Sequence, residues 1–201
     1  MTVAVILDHL FIVVVSVLCT IAVGVPLGIF AYLFKGARRF ILALAEVLQT
    51  IPALALLGII MVFSGAGKGT VITGLLLYSL LPVTQNTYLG LSEIDPGIKE
   101  VALGMGMTRL YRLVHVELPI ALPYIFTGIR LAAITSVGVA VFAFFVGGGG
   151  LGSVIYNSIR TSNMGLLLLA TLCLTAMAIA IDLLMGFSEK QLRKRFSNSA
   201  K

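Results

Sequence analysis

The chain has no tryptophan, two cysteines, two histidines and only 8 acidic residues among 201. Cys19 and Cys173 each lie inside a long apolar run and join no CxxC or Cys/His cluster, which excludes a disulfide framework and a metal site. Charged residues make up 11% of the chain, against about 25% in soluble domains. Hydrophobic residues reach 59%, and the mean hydropathy is +1.10, so the solvent this chain is built for is a bilayer. The opening stretch "MTVAVILDHLF" lacks Lys and Arg. Its apolar run continues to about Phe34, too long for a signal-peptide core, and is expected to be retained as a first span. Strict alternation at period two is missing as well, which leaves helices as the spanning elements.

A crossing helix needs about 20 mostly apolar residues. Five stretches qualify, at about 10–34, 40–63, 70–89, 131–146 with some residues before it, and 166–187. The expected fold is all-α and integral to the membrane, a single transmembrane domain over residues 1–201. Most of the 14 Lys and Arg follow odd-numbered spans. Lys35, Arg38 and Arg39 follow the first, and Lys99, Arg109, Arg112 and Arg130 lie between the third and fourth. Lys190, Arg193, Lys194, Arg195 and Lys201 form the tail. Only Lys68 and Arg160 fall in the alternate loops. The positive-inside rule then places the N-terminus outside and the C-terminus in the cytoplasm. The net charge of +6 therefore reads as membrane orientation, with Arg193–Arg195 resting on anionic lipid, and not as a nucleic-acid surface.

The longest charged interruption is "EIDPGIKEVALGMGMTRLYRLVHVELP", inside a segment at about 91–128 that this topology puts in the cytoplasm. Asp95 suits an N-cap and Pro96 a first helical turn. Gly104 and Gly106 should end that helix, with Gly106 free to turn left-handed. Thr108 can cap a second short helix, amphipathic through Leu110, Leu113 and Val114. Leu118 precedes Pro119 and is expected to leave helical geometry, and Pro123 follows within "LPIALP". Residue chemistry alone is equally consistent with a solvated connecting loop.

Glu100, Ala102, Gly106, Val116, Leu118 and Pro119 fall on the spacing of a known cytoplasmic signature: Glu-Ala-Ala, three residues, Gly, nine residues, Ile-x-Leu-Pro. The chain thereby resembles the permease subunits of bacterial ABC importers, with Val101 and Val116 as mild departures. "EVLQTIPALALLG", "YSLLPVTQNTYLG", "DPGIKEVALGMGMT" and "VGGGGLG" are similar to the permeases of osmoprotectant importers, which carry glycine betaine, choline, carnitine or proline betaine. The resemblance implies a type I importer permease with five spans. In it, Glu100, Ala102, Gly106, Leu118 and Pro119 shape a helix that couples to an ATPase. It implies two cytoplasmic ATPase subunits, which hold the ATP and Mg, and a second permease, identical or paralogous. It also implies a bacterial cell membrane location. Because the chain stops at Lys201, the solute-binding protein is expected to be separate and extracytoplasmic. No catalytic residue and no cofactor are expected on this chain. The scattered aromatics, such as Phe30, Tyr78 and Phe142, form no evident cage for a quaternary ammonium.

Polar residues inside spans are the candidates for the pathway. Glu46, Gln49 and Thr50 share a helical face just before Pro52, which removes a backbone hydrogen bond. They are read as a stripe facing the pathway or a dimer interface, the alternative being an interfacial Glu46 paired with a base such as Arg130. Gln85 and Asn86, with Thr84 and Thr87, either line the pathway or mark a helix leaving the membrane. Gly24 and Gly28 form a G-x-x-x-G suited to close helix packing. "GGGGLG" and "SGAGKGT" lack the strand–turn–helix context and spacing of nucleotide loops, and a glycine bend at a re-entrant or gating turn fits the former better. Asp8 and His9 are read as interfacial. Two rival functions remain open at this level. An ion-gradient-driven secondary transporter would need ionisable pairs near mid-membrane, of which only Glu46 and Asp182 are candidates. A non-transport scaffold would not need the "EVALGMG" pattern.

Overall fold

The computed structural model describes residues 2–197, with side chains through Gln191, so the tail residues Arg193–Arg195 expected on lipid lie outside the described side chains. Every regular element among the described residues is helical. The first, α1 (Val3–Leu33), runs unbroken through Pro26. It is followed by α2 (Lys35–Thr50), α3 (Ala53–Ser64), α4 (Lys68–Tyr78) and α5 (Leu80–Ser92). Two short helices, α6 (Pro96–Gly104) and α7 (Arg109–Arg112), lead through a π-helical turn (Leu113–Glu117) into α8 (Leu118–Val139). A 3₁₀ stretch (Ala140–Val146), α9 (Leu151–Arg160) and α10 (Met164–Ser197) complete the chain.

Three helical stretches are long and apolar enough to cross a bilayer: Val3–Leu33, Arg109–Val146 and Met164–Gln191. The expected second span, 40–63, is instead broken into α2 and α3, which meet at 102°. The cause is Pro52. It forces Ile51 into extended geometry (φ −68°, ψ 129°) and has no N–H to continue the helix. Counted as one crossing, that bent pair makes a fourth. The expected third span, 70–89, is divided at Ser79, where ψ moves to 6°. The fourth begins earlier than expected, at Leu118. That residue is helical (φ −61°, ψ −46°), contrary to the expectation that Pro119 would push it out. The π turn explains the difference. The Leu118 N–H reaches back to the Leu113 carbonyl, and the widened turn accommodates a proline ring that would otherwise collide with the carbonyl four residues back.

At the centre lies α5, which packs most extensively on α8 and α1. Contact is close because glycines face it. A Cβ on Gly28 would stand 2.5 Å from Thr87 Cβ and 2.7 Å from the Thr84 carbonyl oxygen. One on Gly128 of α8 would stand 2.5 Å from the Pro82 carbonyl oxygen. Gly24 meets Val83 in the same seam. Thr87 satisfies its hydroxyl on the Val83 carbonyl, while Thr84 Oγ1 is buried with no partner among the described residues.

The end of the bundle where α1 begins is closed by a residue read from the sequence as interfacial. His9 is fully buried. Its Nδ1 accepts from Leu151 N–H at 3.3 Å, so Nε2 carries the proton and donates to the Val137 carbonyl at 3.1 Å. One imidazole thus ties α1 to α8 and to the start of α9. Asp8 beside it pairs with Lys68. The glycine turn 147–150 wraps closely around this pair: a Cβ on Gly150 would lie 2.9 Å from His9 Nδ1.

Three outcomes follow for the purified chain in detergent. Gly28→Val should lower stability by roughly 1–3 kcal/mol through overpacking, read as a fall in the thermal midpoint. Gly58→Ala, with nothing within 4 Å of the added carbon, should not lower it. Thr84→Val, which removes an unpaired buried hydroxyl at nearly constant shape, should raise stability by about 1 kcal/mol.

Candidate coupling face and pathway residues

Local chemistry builds the segment between α5 and α8. Asp95 Oδ1 accepts from Gly97 N–H at 2.6 Å and caps α6, with Pro96 in its first turn. The helix ends at Gly104, and Gly106 adopts φ +77°, where a side chain would be strained. Thr108 then caps α7 by accepting from Tyr111 N–H. The result is a helix–bend–helix that projects apolar side chains outward: Val101 is 66% exposed, Met105 71% and Leu110 70%. Between α6 and the π turn lies a hollow of about 500 Å³, walled by Ile98, Val101, Ala102, Met105, Met107 and Val116.

Charged side chains fasten this segment to α1 and α5, and its π turn runs directly into α8. Arg109 Nη2 donates to the Leu33 carbonyl at 2.8 Å, capping the C-terminal end of α1, where a cation also meets the helix dipole favourably. Lys99 Nζ donates to the Leu91 carbonyl of α5 at 3.1 Å and sits 5.3 Å over the Tyr32 ring of α1. Arg112 Nε donates to Glu117 Oε1 at 2.6 Å, and the Tyr32 phenol lies near the same carboxylate. Glu117 is 1% exposed. Its charge is accepted inside because a guanidinium and a phenol meet it together.

Of the residues singled out for coupling, Glu100 is exposed on α6, Ala102 is buried in the wall of the hollow and Gly106 makes the bend. Leu118 and Pro119 are not part of that hollow. They line a separate apolar groove between α1 and α8. The pathway candidates fall in two places. Glu46 and Thr50 are exposed at the end of α2, Gln49 is half-buried, and Pro52 is exposed at the bend. Gln85 and Asn86 are half-buried on α5, where Asn86 Nδ2 donates to the Pro82 carbonyl at 2.8 Å. α2 and α5 are joined by Arg38, which donates to the Tyr88 hydroxyl at 2.7 Å. Arg130 does not pair with Glu46. It bridges Asp182 (2.6 Å) and Glu189 (3.2 Å) of α10, and Thr127 also donates to Glu189.

The anchors Tyr32, Lys99, Arg109, Arg112 and Glu117 went unrecognised as a group from sequence. Arg112 and Glu117 are five apart, a spacing that an α-helix does not put on one face but a π turn does. Asp182 and Glu189, seven apart on α10, were a readable signal for one shared partner.

Comparison with known proteins gives the chain's family and fold. Residues 24–197 match the model of a family described as binding-protein-dependent transport system inner membrane component. The glycine betaine/carnitine/choline transport system permease protein OpuCD of Bacillus subtilis is 41% identical over 185 residues, covering 92% of this chain and 81% of that one. The osmoprotectant import permease protein OsmW of Salmonella typhimurium is 39% identical over 183 residues, covering 89% and 85%. In fold, the chain superposes on a chain of the inward-facing MetNI methionine ABC transporter with a TM-score of 0.85 at 22% identity, covering 92% and 93%. The chain belongs to the binding-protein-dependent transport system inner membrane components and is a multi-pass permease subunit of that class.

Proposed function

We propose that this permease forms half of the membrane pathway of an ATP-driven importer for a compatible solute such as glycine betaine, carnitine or choline. The relatives' names supply the solute class, and the segment from α6 to the π turn supplies the mechanism. Its apolar knob is exposed, yet it is bolted to α1, α5 and α8. Such a part is shaped to receive force from a protein and pass it on. The receiving face is cytoplasmic in a topology of five crossings, in which α2 with α3 and α4 with α5 each make one bent crossing. The N-terminus lies outside, the C-terminus inside, in a bacterial cell membrane. Two ATPase subunits hold the ATP and Mg. A second permease, identical or paralogous, completes the pathway, and a separate binding protein delivers solute from outside.

When the ATPases close, α6 moves with them. Arg109 transmits that motion to the end of α1, Lys99 to α5, and the Arg112–Glu117 pair to α8. Uphill transport needs about 1.4 kcal/mol for each tenfold of gradient. That work reaches the pathway through these three fastenings. Glu46, Gln49, Thr50, Gln85 and Asn86 are the polar candidates for lining the pathway or the permease interface.

Two experiments test this reading. The tagged chain should co-purify with its cognate ATPase and support betaine uptake. Gly106→Val, which forces a β-branched side chain into left-handed geometry, should abolish both while leaving the melting of the membrane helices unchanged. Undiminished uptake in cells without any such ATPase would overturn the proposal. Arg112→Met leaves Glu117 buried and alone, and should destabilise the chain by roughly 3–5 kcal/mol. Adding Glu117→Leu should restore most of the stability but not the uptake, because the fastening to Tyr32 stays broken.

A further inference from the structure

The groove between α1 and α8 is lined only by apolar side chains and has a volume of about 440 Å³. One wall is Ile21, Val25 and Ile29 of α1, and the other is Leu118, Leu122 and Phe126 of α8, each set spaced four residues apart. All six are half-buried, so they form the sides of an open channel running parallel to two crossing helices. Eight residues of helix rise roughly 12 Å, close to the roughly 15 Å depth of one leaflet. Its wholly apolar lining and its length suit a hydrocarbon chain lying along the two helices.

Its mouth is cationic. One turn further toward the cytoplasm, both walls continue into a smaller hollow of about 200 Å³ lined by Leu33, Phe34, Arg109, Leu110 and Leu113. Arg109 uses one guanidinium nitrogen on the Leu33 carbonyl and is otherwise exposed. Lys35, exposed, directly follows Phe34 in the wall of that hollow. An apolar channel one leaflet deep that ends beside Arg109 and Lys35 matches an amphiphile with one long tail in the channel and an anionic head.

We infer that the α1–α8 groove is a binding site for an anionic phospholipid of the cytoplasmic leaflet, its acyl chain between Val25 and Leu122 and its phosphate on Arg109. The site rests on the orientation proposed above, but not on the solute or the ATPase.

The chain's lack of tryptophan makes the test clean. Phe126→Trp places a sole indole in the groove of the full chain, reconstituted in liposomes. Phosphatidylglycerol brominated on its tails should quench it about fivefold more effectively than phosphatidylcholine with the same tails. Arg109→Gln, which keeps a donor for Leu33, should bring that ratio close to one. Leu183→Trp, on the 67% exposed face of α10, should be quenched equally by both lipids. If Phe126→Trp does not fold, Leu122→Trp serves in its place. Equal quenching in the groove would reduce it to bulk lipid contact, and no quenching by either lipid would mean that protein covers it. Either result overturns the site. Because uptake is not measured, neither result bears on the importer assignment.

Discussion

Helices in a bilayer gain little by hiding apolar surface from one another, because lipid tails are as apolar as leucine. What holds α5 against α1 and α8 is therefore contact at short range, and contact at short range requires that nothing project between the backbones. Gly24 and Gly28 meet that requirement on one side of α5, and Gly128 on the other. The seam carries more than packing. Lys99 grips the Leu91 carbonyl at one end of α5, and Ser79 shares a hydrogen bond with Ser136 of α8 at the other. If α5 stood an ångström further off, neither the fastenings of the α6–α7 segment nor the buried hydroxyl pair could close.

Charge is placed where the seam ends. The clamp of Arg112, Glu117 and Tyr32 sits where α7 turns into α8. The Arg130, Asp182 and Glu189 cluster joins α8 to α10, over a Gly186 whose Cβ would lie 3.2 Å from the guanidinium carbon. At the end where α1 begins, His9, held in one tautomer, and the Asp8–Lys68 pair close the structure. Each cluster contains its own counter-charge or a fixed tautomer, so no isolated ion is left to face hydrocarbon. α10 adds these ion pairs to its packing on α8 and α9, where Leu174, Met177, Ala178, Ile181 and Met185 lie against the core. Only 6% of its most apolar window is fully buried, and its outward side, with Leu172, Ile179, Leu183 and Leu184, is exposed.

How far the sequence could be read follows from which interactions are local. Asp95, Pro96, Gly106 and Thr108 act within a few residues of themselves, and the helix–bend–helix they predict is the one observed. Long apolar runs gave the spans at 10–34 and 166–187 for the same reason. Pro52 was visible too, but its consequence was underestimated. A proline can be absorbed within a helix, as Pro26 is in α1, or can break it by 102°, and only the surrounding packing decides. The π turn lay beyond reach altogether. It undid the expectation that Leu118 would leave the helix, and it created the Arg112–Glu117 pair that helical spacing argues against. The bonds that bury His9 were not legible because its two partners, Val137 and Leu151, lie more than 120 residues away in the chain.

The half-exposed polar residues Glu46, Gln49, Thr50, Gln85 and Asn86 contrast with this economy. Thr50 returns its hydroxyl to the Val47 carbonyl and Asn86 its amide to the Pro82 carbonyl, so both are partly satisfied without solute. Glu46 is exposed on α2 beside Leu44 and Val47, which are also exposed. An exposed carboxylate among apolar side chains is not suited to lipid. It is suited to a face that another subunit covers or that water wets as a pathway opens. The interior of this chain is closed, with each buried ion countered and the seam packed, and the polar side chains left without that closure lie along α2, around Pro52 and on the open face of α5.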